Sequence, residues 1–166
     1  MKYVWFALSL GTLAAAMTSL SVCAQTCAAP ATFQAPPSGG SVAGTTCGGD
    51  TTAAGYCGGN LDAPGPAFVF QINLDGGRVF NNFSLIGGAG YDAVMYVSPT
   101  SGGCGTNAAC TATGDTGAPI PSGDIPDGSY YLIVTAATFD GPGSCGTFTL
   151  STDGNIPVEL QSFTIS

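Results

Sequence analysis

The side chains of this chain that could do chemistry are carboxylates and thiols: ten acidic residues and seven Cys, with no His anywhere. Without His the commonest general base, the switch near neutral pH and the usual nitrogen ligand of zinc are all missing. Asp115-Thr116-Gly117-Ala118 spells the tetrapeptide in which aspartic proteases carry a catalytic Asp, two such carboxylates sharing one proton to activate water. One copy per chain would require a symmetric dimer. The catalytic Asp there follows an apolar strand, whereas Thr111-Ala112-Thr113-Gly114 precedes it here, so a surface turn is the better account. A glycosidase needs two carboxyls facing each other across a cleft. All the acids but Glu159 are Asp, and most stand beside Gly, Pro or Thr, where Asp serves turns by bonding its own backbone. Calcium suits Asp carboxylates and loop carbonyls better, and Asp92 and Asp115 are its candidates. Gly141 to Gly146 spells G-x-G-x-x-G, but it contains Pro142 and Cys145 and runs into a strand pattern, where a dinucleotide loop must open a helix. The reading is of a non-catalytic chain.

The thiols depend on compartment. Met1-Lys2 opens the chain, Tyr3 to Ala16 is mostly apolar, and Val22-Cys23-Ala24 carries short residues where a signal peptidase reads. Residues 1–24 are therefore expected to be a signal peptide cleaved after Ala24. A membrane anchor over Tyr3 to Val22 is disfavoured by Ser9, Gly11, Thr12, Thr18 and Ser19 and by the lack of a basic stop beyond it. A lipoprotein reading of Leu20-Ser21-Val22-Cys23 is weakened at Val22. Cleavage leaves Cys27, Cys47, Cys57, Cys104, Cys110 and Cys145, an even set in an oxidising compartment, so three disulfides are expected. Sequence does not choose among the pairings. Short loops make Cys47 with Cys57 and Cys104 with Cys110 the simplest guess, leaving Cys27 for Cys145. Zinc is not expected, because there is no Cys-x-x-Cys.

The elements that must hold these residues are strands. Residues 25–41 carry Pro30, Pro36, Pro37 and Gly39-Gly40 and read as an extended arm. In residues 42–154 Phe68, Phe70, Ile72 and Leu74 alternate with Val69, Gln71 and Asn73, and Asp75-Gly76-Gly77 would turn the chain back onto a partner strand, Arg78 to Ile86. Asp92 to Ser98 alternates again. Ser129 to Thr135 is apolar at almost every position, as a strand covered on both faces would be. Thr147 to Ser151 points Phe148 and Leu150 inward. In residues 155–166, Val158 to Ile165 is strand-like with a change of phase between Leu160 and Phe163, suggesting a bulge or an edge. With no sustained helical period, the expected fold is all-β: a small antiparallel β-sandwich stabilised by disulfides.

Charge closes off other functions. Lys and Arg total two, against a net charge of −8, so there is no cationic surface to neutralise phosphates and no nucleic-acid partner is expected. A charged fraction of 7% with 45% hydrophobic residues is unlike a disordered acidic tail. After signal cleavage no membrane span remains.

From about Ser41 to Thr152 the order of features resembles the pre-peptidase C-terminal domain of secreted bacterial proteins. The likeness runs through Gly44-Thr45-Thr46-Cys47, Tyr56-Cys57-Gly58-Gly59 and Phe68-Val69-Phe70. It continues in Tyr91 to Val97, the pair Cys104 and Cys110, Asp127 to Val134 and Gly146 to Leu150. The resemblance implies a jelly-roll-like β-sandwich without catalysis of its own, serving secretion, adhesion or attachment. It also implies calcium in some members, although the acidic cluster they place after the second loop cysteine is reduced here to Asp115. The segment Pro157 to Phe163 is similar to a short tail near the C-termini of some exported bacterial proteins.

Two functions follow as expectations. One is an extracellular binding module that meets a polysaccharide or protein surface through exposed aromatics, with Tyr56, Tyr91 and Tyr96 as candidates. The other is self-association: a Gly- and Thr-rich subunit with no Lys after cleavage, whose unguarded sheet edges accept a neighbour's strand in a filament.

Overall fold

The computed structural model describes residues 25–33, 39–51, 65–74, 81–104, 110–137, 140 and 143–154. They form β1 (Ala31–Thr32), β2 (Gly40–Thr45), β3 (Phe68–Leu74), β4 (Asn82–Gly87), β5 (Ala93–Pro99), β6 (Ala112–Asp115), β7 (Ile120–Pro121), β8 (Gly128–Ala136) and β9 (Thr147–Thr152). Five strands make one sheet in the order β1-β3-β8-β5-β6, and four make the other, β2-β9-β4-β7. Pairing is antiparallel except between β1 and β3. Without β1 the eight strands divide four and four in the order of a jelly roll. The expected all-β, disulfide-stabilised sandwich is what the chain forms.

Period-two patterning decides which side of each strand meets the core. Between the sheets lie Phe68, Phe70, Ile72 and Leu74 of β3, Phe83 and Leu85 of β4, and Phe148 and Leu150 of β9, all buried. Rings of Phe68 and Phe148 cross edge-on with centroids 5.4 Å apart, and Phe33, just after β1, sets its ring 5.8 Å from Phe70. Gly44 of β2 lies beneath Phe148, where a Cβ would come within 2.7 Å of the ring. A second apolar cluster, Ala67, Val69, Tyr96, Cys104 and Ile133, lies apart from this core, with Cys27, Cys110 and Tyr131 packed against it. Thus β3, β5 and β8 are buried on both faces, which accounts for the unbroken apolar run in β8.

Two expectations are corrected. The chain does not fold back after β3 into a hairpin with the next strand. β3 pairs with β1 and β8, whereas β4 pairs with β7 and β9 in the opposite sheet. The reason lies in the patterning: β3 is apolar on both sides and needs cover on both, while β4 alternates and suits a sheet with one face in solvent.

The short-loop disulfide guess also fails. Cys47 bonds Cys145 and Cys27 bonds Cys104, with Cα separations of 4.8 and 5.8 Å. Register explains the first: Thr45 faces Thr147, the Thr46 amide donates to the Gly146 carbonyl at 3.0 Å, and the next opposed pair is Cys47 with Cys145. Loop closure grows costly only slowly with length, about 0.6 kcal/mol per doubling, so strand pairing outweighs a short loop. Cys110 is also disulfide-bonded. Cys57 lies outside the described residues, as does Val158 to Ile165.

Candidate binding surface

The structure brings together both calcium candidates. Asp92 immediately precedes β5 and Asp115 ends β6, where their carboxyls hydrogen-bond each other; Asp140 joins them, its Oδ2 accepting the Asp92 amide at 3.0 Å. Burial, then the charges of Asp115 and Asp140, pushes the Asp92 carboxyl above its usual range. The Asp92 carboxyl is thereby biased toward holding its proton. Among the described residues no group of three or more His, Cys, Asp or Glu is placed to hold a metal ion.

Asp115-Thr116-Gly117-Ala118 is a tight turn, with Asp115 and Ala118 exchanging backbone bonds of 2.9 Å and Gly117 at φ +86°. The Thr116 hydroxyl fastens it, donating to the Ala93 carbonyl at 3.2 Å and accepting the Gly87 amide at 3.3 Å. Gly143 to Gly146 leads straight into β9. In the glycosylation sequon Asn82-Phe83-Ser84, Phe83 is buried in the core.

The aromatics expected to make a binding platform are inside. Tyr96 is 1% exposed, its hydroxyl pKa raised by burial and by Asp50, and Tyr91 is 9% exposed, sharing a 2.9 Å hydrogen bond with the Thr46 hydroxyl. Tyr56 lies outside the described residues.

A different surface is open. The side of the four-stranded sheet facing away from the core carries rows fixed by register: Ser41, Ser151 and Ser84; Ala43, Thr149 and Ile86; Thr45 and Thr147. None is charged, although the chain is acidic overall. Ile86 is 62% exposed and the only large hydrophobic side chain so exposed among the described residues. Beside it a hollow of about 210 Å³ is lined by Ser84, Leu85, Ile86, Gly117 and Pro119. Strand spacing sets the positions of this face in a grid of roughly 4.8 Å across strands and 6.8 Å along them, with Ser and Thr at six of the eight and the Thr45 hydroxyl turned to the Gly146 carbonyl at 3.2 Å. Thr is stiff at χ1 and Ser is short, so these hydroxyls lose little freedom when they bind. The sequence shows Thr147 to Ser151 as a strand and residues up to Ser41 as an arm; the one signal of this face in it is the alternation Ser41, Ala43, Thr45.

Comparison with protein-family models, with curated proteins and with solved structures found no match. Among the described residues no helix is long and apolar enough to cross a membrane.

Proposed function

We propose that this chain is a secreted, non-catalytic jelly-roll module that adheres to a neutral extracellular polysaccharide through the outer face of its four-stranded sheet. The observation that carries this reading is the uncharged Ser/Thr grid around Ile86 on an otherwise acidic molecule. A neutral hydroxylated chain meets no unpaired charge there and finds donors and acceptors already in place. The likeness to pre-peptidase C-terminal domains supports the same role, and disulfides in an exported chain support an extracellular site. The test is co-sedimentation of the purified protein with insoluble cellulose and chitin, with alginate beads as the charged contrast. Wild type is retained on a neutral matrix and not on alginate; Thr149→Lys lowers retention about tenfold, the equivalent of 1.4 kcal/mol. Thr113→Lys, at the exposed position of β6, binds as wild type does. Equal retention of both variants removes the face from the account.

A second reading, strand exchange, is favoured by β2. Among the described residues it pairs only with β9, and its sequence Gly-Ser-Val-Ala-Gly-Thr carries none of the charges that guard an edge. Filaments seen by electron microscopy at high concentration would select it; a monodisperse monomer would remove it.

A further inference from the structure

We infer that Gln25 is a modification site: once the leader is cut away, its side-chain amide closes on its own α-amino group to give a pyroglutamyl lactam. This rests on the secreted reading, because the short residues Val22-Cys23-Ala24 place the cut just before Gln25.

The structure adds where that new terminus sits. Gln25 is half-buried, and its carbonyl accepts the Val69 amide at 3.1 Å. Thr26 and Ala29 close a small turn with backbone bonds of 3.3 and 3.1 Å, and the Cys27 amide donates to Asp50 Oδ2 at 2.9 Å. The Cys27–Cys104 disulfide then fixes the arm beside the apolar cluster of Ala67, Val69, Tyr96 and Ile133. The cut therefore leaves the α-nitrogen on a residue whose carbonyl is anchored to Val69 of that cluster. In its neutral form that amine is the nucleophile.

The reaction needs no second reagent. The α-nitrogen attacks Cδ of Gln25, the new N–Cδ bond closes a five-membered ring, and the Cδ–Nε2 bond breaks. One proton passes from the α-nitrogen to the departing amide nitrogen, which leaves as ammonia; nothing is oxidised or reduced. The product is neutral where an ammonium stood and gives aminopeptidases no free terminus to grip.

The test is mass spectrometry of the N-terminal peptide from full-length protein exported by expressing cells. A synthetic peptide of residues 25–33 is carried through the same handling to measure cyclisation during preparation. The expected result is a peptide that begins at Gln25, is lighter by one ammonia in nearly all copies and resists Edman degradation until pyroglutamyl aminopeptidase is added, while the synthetic control remains mostly open. A Gln25→Asn chain cut at the same place yields ordinary Edman cycles. A peptide beginning at Gln25 with a free α-amino group, or a control that closes as fully as the protein, overturns the modification and leaves export standing. A chain that still holds residues 1–24, or begins elsewhere, overturns the export reading as well.

Discussion

Asp92 and Asp153 are Asp residues placed in opposite environments, and their pH dependences run in opposite directions. Asp153 accepts the amides of Asn81 and Asn82 at 2.7 and 3.2 Å and the Asn81 side chain at 3.2 Å, which holds its carboxyl below the usual value of 3.8. Its contribution is present above 3.8 and is lost as pH falls through the lowered value. Asp92 is held above 3.8, so its contribution is present below that value and lost as pH rises through the raised one. Asp153→Asn should therefore be less stable than wild type at neutral pH, and Asp92→Asn more stable, with both gaps closing in acid. Urea midpoints between neutral pH and the acid range check the two signs. Packing gives a residue-scale prediction too. A Cβ at Gly146 would collide with the Tyr91 ring, whose hydroxyl bonds Thr46. Gly146→Ala should cost about 1–3 kcal/mol, measured by denaturant unfolding.

Among the elements, those legible in the sequence are the ones whose apolar residues alternate or run unbroken. β3, β5, β8 and β9 were visible through Phe68 to Leu74, Ala93 to Val97, Tyr130 to Val134 and Phe148 with Leu150. β2, β6 and β7 were not, because Gly-Ser-Val-Ala-Gly-Thr, Ala-Thr-Gly-Asp and Ile-Pro have too few large apolar residues to show a period. The candidate face is hard to read for the same reason: its small polar residues carry no hydrophobic signal, and five of its eight residues lie on β2 and β4. The carboxyl pair of Asp92 and Asp115 was legible by residue type, but their meeting depends on β5 pairing with β6. The arm, read as extended, also supplies β1 to the edge of β3 and Phe33 to the core, contacts that its local sequence does not announce. Phe33→Ala should lose about 3–5 kcal/mol. Replacing Cys27 and Cys104 together by Ser should speed hydrogen exchange at the Val69 amide, which Gln25 accepts, and leave the β8 amides protected.

At the scale of the molecule, the two disulfides whose partners both lie among the described residues divide the work. Cys47–Cys145 spans 98 residues and extends the β2–β9 ladder, tying the start of the sandwich to its last described strand. Cys27–Cys104, spanning 77 residues, straps the arm over the second apolar cluster. Loops of this length constrain the unfolded chain by about 4–5 kcal/mol each in the chain-entropy treatment. For a domain whose whole stability is of order 5–15 kcal/mol, losing either would be severe. A cross-linked scaffold of this kind keeps the Ser/Thr face in register, as the adhesion proposed for that face requires. The measurement closest to this claim is non-reducing peptide mapping, with alkylation before and after reduction, on protein recovered from outside the cell. The expected result is Cys27–Cys104 and Cys47–Cys145 peptides, with those four cysteines refusing alkylation until reduced. Free thiols at these positions in the native protein, or a Cys47–Cys57 peptide, would contradict it.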